Sequence, residues 1–381
     1  MNFLTILIII FAAFHTGANE TSKIVNILDC GALPDGHTDN TKAFSVFFDT
    51  IIAGRRKGYI PAGHYLVTST LEWDLSLVPG LIIEGDGPAS TKIEIISSSN
   101  HGWLFTSDKN TAAFYWTFRD MAVFGKSKGP LISFGRKGSG CTSAFNTFWL
   151  NGLVINNYDN SSTSTVVEMN GVYNSIISAS VNGNDLNDAL RLTCAQFNQF
   201  TGSYSNAHVG IRMLGSYTFA NVFSAIDIEV VDIAIQIDDT AIGGSNSFVG
   251  GTFITNNEGS AQKCFVKDES STRMGHNTFI NPVVGPGRPV YCGSRSIEFI
   301  STRGVELPAS FSYTDVPPPS GKLLINPIPS KLQIMFGGGN VTGVTINGKE
   351  FPTSGGQWIL QPNDSFIIYY VVAPIWSCRP F

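Results

Sequence analysis

Apolar and polar residues alternate in short runs along most of this chain, and each run soon meets Gly, Asn or Asp. The clearest run is Ile226, Ile228 and Val230 followed by Ile233, Ile235 and Ile237, with a slip at Val230-Val231. Period-two alternation buries one face of a strand, and a slip marks a corner between two strands. A phrase, Asn-x-[Phe/Ile], recurs with its Asn at Asn146, Asn174, Asn198, Asn221, Asn246 and Asn277, at spacings of 28, 24, 23, 25 and 31 residues. Two or three short strands per two dozen residues make one coil of a solenoid. The pattern therefore predicts an all-β chain, a right-handed parallel β-helix. Asn tolerates the left-handed corner conformation, and identical Asn side chains stacked on successive coils can hydrogen-bond as a ladder.

A solenoid exposes unpaired edges and interior at its ends, so it needs caps. Asp39 is placed to N-cap a helix whose apolar residues Ala43, Phe44, Phe47, Phe48, Ile51 and Ile52 form one stripe. That helix should stop near Gly54, with Arg55, Arg56 and Lys57 at its negative end. Near residue 306 the composition changes, and three consecutive prolines, Pro317 to Pro319, follow. Alternating runs beyond them, with turn signals at Asn347-Gly348 and at Pro362-Asn363-Asp364, predict a small C-terminal antiparallel β domain or cap. The expected division is 1–18 signal peptide, 19–305 β-helix with its cap, and 306–381 C-terminal domain.

The signal peptide follows from the apolar run Phe3 to Phe14 and the small residues Thr16-Gly17-Ala18. The run is shorter than the roughly 20 residues that span a bilayer, so a soluble, secreted, extracellular protein is expected, with no membrane partner. A formal net charge of −5 without a basic cluster argues against a nucleic-acid partner. The six cysteines show no C-x-x-C pair, so one to three disulfides of open connectivity, or buried thiols, are expected. Sequons at Asn160, Asn340 and Asn363 matter only in a eukaryotic host.

Three blocks near the N-terminus resemble the pectate-lyase-like superfamily of secreted β-helices, which includes polygalacturonase-like and tailspike-like proteins. They run from Gly31 to Phe44, from Gly58 to Val67, and from Ile83 to Gly87. More weakly, Leu360 to Phe366 and Ala373-Pro374 are similar to tailspike-like endings. The resemblance implies the fold and a polysaccharide ligand, with a monomer or a trimer as the assembly. It names no reaction, since Asp35-Gly36 and Ala62-Gly63 are turn chemistry.

A site must therefore come from aligning coils. Setting Glu168, Arg191, Arg212 and Gln236 one above another, at separations of 23, 21 and 24, stacks them outward. Asn187, His208 and Asp232 form a neighbouring row, with Asp185 and Asp188 beside it. Arg presents a planar fork matched to a uronate carboxylate. A lyase needs a base for the proton α to that carboxylate, and Arg212 or His208 could serve. A hydrolase needs two carboxyl groups, and Asp185, Asp188 and Asp232 are available. The assignment is catalytic for Asp188, His208 and Arg212, and substrate-binding for Glu168, Asp185, Arg191, Asp232 and Gln236. Trp103, Trp116, Trp149 and Tyr204 are candidates to stack on pyranose rings.

The polygalacturonase-like order Asn-Thr-Asp, Asp-Asp, Gly-His-Gly, Arg-Ile-Lys is not kept. Asp238-Asp239 follows the sole comparable histidine, in Ala207-His208-Val209-Gly210. Asp227, Glu229 and Asp232 match a calcium site poorly, so no cofactor is expected, with Ca2+ at Asp238 and Asp239 as the alternative. The functional expectation is an enzyme, lyase or hydrolase, acting on an acidic polysaccharide, against a non-catalytic glycan-binding or surface-structural β-helix.

Overall fold

The computed structural model describes residues 24–98, 101–107, 111–136, 145–159, 165–183, 188–215, 217–238, 241, 244–255, 264–269, 277–284, 290–293, 297–300, 316–326, 331–361 and 364–380. The expected signal peptide and the division near residue 305 lie outside them.

Strands one coil apart pair in parallel register, and they line up as three walls. The first contains Ile24–Asn26, Lys57–Ile60 and Ile82–Gly85 and continues through Ile176–Asn182 and Val222–Ser224 to Ile297–Ile300. The second begins with Asp35–Asp39, Gly63–Val67 and Thr91–Ile96. The third runs through Leu71–Asp74, Trp103–Ser107, Pro130–Arg136, Thr165–Asn170, Asp188–Thr193 and Ala207–Leu214 to Asp227–Ile237 and Cys264–Asp268. One continuous core fills the space between the walls. The predicted β-helix is present.

Its first wall shows how repeats fix register. Phe200, Phe223, Phe248 and Phe279 stack with ring centroids 4.8, 4.5 and 4.2 Å apart. Beside them Asn198 donates its amide to Asn221, Asn221 to Asn246 and Asn246 to Asn277, at 2.9, 2.9 and 2.8 Å. Each Asn carbonyl also accepts the backbone N–H of the preceding coil's equivalent residue. Buried amides are costly without partners, and here each Asn satisfies the next. The first two phrases are out of step. Ile177 pairs with Phe200 and Leu150 with Ile177, so Ser175 and Phe148 occupy the ladder position. Ser175 extends the ladder through its hydroxyl, which accepts from Phe148 N–H, while Asn146 and Asn174 bond to each other nearer solvent.

The capping helix is Thr41–Gly54, and Ala43, Phe44, Phe47, Phe48 and Ile51 are buried under it. Phe48 stacks on Trp73 at 3.7 Å. Each buried Phe contributes about 1.5–3 kcal/mol relative to exposure. The helix stops where expected, with Arg55 in the left-handed region (φ 49°). Its start differs by one residue. Asn40 is the N-cap, but its side chain is turned inward to Leu33 and Thr38. Asp39 instead accepts from the Thr41 N–H at 3.0 Å and ties the helix to Thr68.

The C-terminal part forms two antiparallel sheets. Leu323–Ile325, Asn340–Ile346, Lys349–Phe351 and Ser365–Val372 make one, and Leu332–Gly337, Gly356–Leu360 and Ile375–Pro380 the other. They share their own core, around Phe336, Phe366 and Trp376. Asn347 and Gly348 both have positive φ, as a two-residue hairpin requires. Cys30 and Cys378 are free thiols, leaving at most two disulfides among the other four cysteines.

Candidate functional site

The third wall carries the row predicted from coil alignment. Glu168 pairs in register with Arg191, Arg191 with Arg212 and Arg212 with Gln236. The row extends to Ser133 before and Lys267 after. Asp188 reaches this row across a corner. Ala189 and Leu190 are consecutive core residues, flanked by Arg191 and by Asp188, which is itself buried. The pairs Val166-Val167 and Ala234-Ile235 repeat the corner on other coils.

The polar side chains along this row are linked. Arg191 donates from Nε and NH2 to Asp188 Oδ2 at 3.1 and 2.7 Å. Arg212 lies 3.7 Å from the same oxygen. It also donates from Nε to Asp238 at 3.1 Å. Gln236 donates to Asp238 at 2.9 Å and to Glu269 at 3.2 Å, and Glu269 pairs with Lys267 at 2.8 Å. Glu168 accepts from the Ser133 hydroxyl, and Arg191 turns to Asp188 instead. Burial works to lower the Arg212 guanidinium, but Asp188, and then Asp238 and Glu269, outweigh it and raise it above its ordinary value. Arg212 is therefore suited to hold or stabilise negative charge. It is not suited to accept a proton.

His208 stands apart from this network. Its Nδ1 is 3.0 Å from Asp232 Oδ2, with His208 exposed and Asp232 partly so. Four positions of strand separate it from Arg212, a reach of up to about 13 Å. The structure thus joins Asp188, Arg191, Arg212 and Gln236, and pairs His208 with Asp232. Asp185 and Asn187 lie outside the described residues, as does Asp239. Asp238 faces Arg212 and Gln236, which disfavours it as a calcium ligand. Among the described residues no three of His, Cys, Asp and Glu are grouped to hold a metal ion.

Of the aromatic candidates, Trp103, Trp116 and Tyr204 are buried in the core, where large rings fill volume. Trp149 alone of the four is partly exposed. Alternation could not separate them, because the corners shift which parity faces inward. Asp238 and Glu269, two residues beyond the aligned row, were also missed as partners of the arginines. A further cluster had no sequence signal. On the second wall Glu94 accepts from Tyr158 OH at 2.9 Å and lies 2.8 Å from His64 Nε2. Burial, then the bond to Glu94, pushes the Tyr158 hydroxyl up to about 12. Their separations of 30 and 64 residues hid the grouping.

The fold is a parallel β-helix. Within that class, residues 24–128 match the family described as Rhamnogalacturonase A/epimerase, pectate lyase-like. No curated protein matches the sequence. Among solved structures the chain is similar to the A-module of Azotobacter vinelandii mannuronan C-5 epimerase AlgE4, at 13% identity over 74% of this chain and 96% of that one, TM-score 0.44. It is also similar to the Acinetobacter baumannii phage AM24 tailspike protein, at 12% identity over 93% and 81%, TM-score 0.43. A third is the catalytic unit of a GH87 α-1,3-glucanase from Streptomyces thermodiastaticus, at 15% identity over 76% and 70%, TM-score 0.31. None of the three assigns a role to a residue of this chain.

Proposed function

We propose that this protein is a secreted carbohydrate-active β-helix that holds an acidic polysaccharide along its third wall and cleaves it, as a lyase or hydrolase. The observation that carries the reading is the pair Arg191 and Arg212, one coil apart on an outward row and sharing Asp188. Coils rise by about 4.8 Å, so the two guanidinium groups offer a uronate two donors on one track. In this reading Arg212 stabilises charge developing on the substrate carboxylate, and the His208–Asp232 pair supplies proton transfer. Neutral His208 would accept the proton α to the carboxylate, with the His208 and Arg212 side chains leaning together over the sugar to close their spacing along the strand, and Asp232 would orient the imidazole ring.

The test is incubation with a panel of uronate-containing and neutral polysaccharides. Ultraviolet absorbance of unsaturated products identifies a lyase, and new reducing ends without it identify a hydrolase. Absence of either product from every glycan rules out the catalytic reading.

A second reading, a non-catalytic glycan binder, is favoured by one observation. Both arginines are already partnered by carboxylates, and His208 lies outside that network. Retention on immobilised glycan without cleavage supports it.

A further inference from the structure

We propose a second saccharide-binding subsite on the first wall, built on Tyr115 and Trp149 and selective for a neutral pyranose. It shares with the reading above only the premise that saccharides are ligands of this protein, and none of its residues belongs to the arginine row.

The subsite begins at a corner. Tyr115, Thr147, Asn174, Phe197, Ala220 and Ser245 recur at the turn before the first wall, all with φ between 51° and 62°. Asn suits this left-handed position, and a bulky residue there is uncommon. Tyr115 occupies it and is 52% exposed. Two donated backbone hydrogen bonds fix the residue, from its N–H to Asn146 and Thr147 carbonyls at 3.4 and 3.0 Å. Its ring lies 6.5 Å from that of Trp149, at an interplanar angle of 24°. Phe114, 37% exposed, has its ring 6.0 Å from that of Tyr115. An exposed, backbone-fixed aromatic platform of this kind presents flat apolar faces to water.

Next to the platform is a cavity of about 310 Å³ lined by Thr117, Arg119, Trp149, Asn151, Ile176 and Ser178. That volume is at the lower end for small-ligand sites, about 300–1,000 Å³. Aromatic carbon on one side and hydroxyl, amide and guanidinium groups on the other match a pyranose, which has apolar C–H faces and a polar edge.

Charge decides which pyranose. Arg119 donates from Nε and NH2 to Glu84, the first at 2.9 Å, and also lies 3.7 Å from Asp120. Lys57 pairs with the same Glu84. Two cations therefore meet two carboxylates, and the site is balanced. Burial works to raise the Glu84 carboxyl, but the Lys57 and Arg119 bonds outweigh it and hold it below its ordinary value. A neutral sugar can bond to this polar edge as it stands, with Arg119 still held by Glu84.

Isothermal titration of the full chain with neutral and uronate oligosaccharides tests this. Trp149→Ala should weaken a neutral oligosaccharide by at least about tenfold and leave uronate binding unchanged. Tyr115→Asn, which keeps a residue suited to the left-handed corner, should weaken it likewise with an unaltered melting temperature. Arg212→Ala should show the opposite selectivity, so failure of the third-wall reading is separable from failure of this one. Full affinity of both first-wall variants overturns the subsite, as does absence of neutral-sugar binding by the unmodified chain. If both variants instead change the oligomeric state by light scattering without altering sugar affinity, the platform is a self-association face and the proposal is wrong.

Discussion

Arg212 and Asp238, 26 positions apart in the chain, meet across adjacent coils, with NH2 3.0 Å and Nε 3.1 Å from one carboxylate oxygen. The contact fixes the plane of the guanidinium and leaves it shared between Asp238 and Asp188. It makes Asp238 a positioning residue for a group that faces the proposed glycan track.

Asp238→Asn should accordingly raise KM for an acidic polysaccharide severalfold with a smaller change in kcat, since it loosens Arg212 without removing it. Arg212→Ala should lower kcat/KM by about 100-fold or more if Arg212 stabilises developing charge. Steady-state kinetics on the substrate found in the panel provides the check. Equal effects of both changes on kcat would refute the positioning role.

Stability should depend on the buried amide ladder. Asn221→Ala leaves the Asn198 N–H and amide, and the Asn246 carbonyl, short of partners. A loss of about 1–3 kcal/mol is expected, read from urea midpoints, with Asn146→Ala, in the pair nearer solvent, as the control costing well under that. Comparable losses at the two positions would show that stacking, not the buried bonds, holds the coils.

Gly125→Ala should prevent folding. Gly125 has φ 153°, and a Cβ there would lie 1.8 Å from the Ile95 carbonyl oxygen on the neighbouring coil. Backbone cannot yield as a side-chain tip can. Gly80→Ala is the control, since space around its Cβ is open and only its φ of 79° is strained. Circular dichroism of the two variants separates the effects.

Acid should weaken the N-terminal turn at low pH. Hydrogen bonds from the Thr38 N–H, then the His37 N–H and the Thr38 hydroxyl, hold the Asp35 carboxyl down at about 2. An unfolded Asp titrates at about 3.9. The folded value is the lower one, so the contribution is complete above the unfolded value and is lost as pH falls through about 2. Asp35→Asn should be less stable than the parent at neutral pH, and the gap should close on acidification. Urea midpoints across the acid range test this, and a gap independent of pH would contradict it.

The sequence made the coil register legible where alternation was strict. Glu168, Arg191, Arg212 and Gln236 sit between apolar neighbours that leave one outward choice each, and the structure places them as aligned. It was less legible at corners. Asp188 reaches Arg191 because two consecutive residues face inward, and a period-two pattern has no place for such a pair. The first two Asn phrases misled for a related reason, since a Ser can continue the ladder through its hydroxyl and frees the Asn to move outward. His64, Glu94 and Tyr158 come from three different coils, and no local spacing connects them.

The ladder of Asn198, Asn221, Asn246 and Asn277 has one more consequence. Each of these side chains offers the neighbouring layer the same donor and acceptor, so the stack has no unique middle. Duplicating one such segment in the gene would insert a layer whose contacts above and below are already satisfied. The molecule could thereby lengthen in increments of about 4.8 Å, extending every surface track at once without redesigning either end.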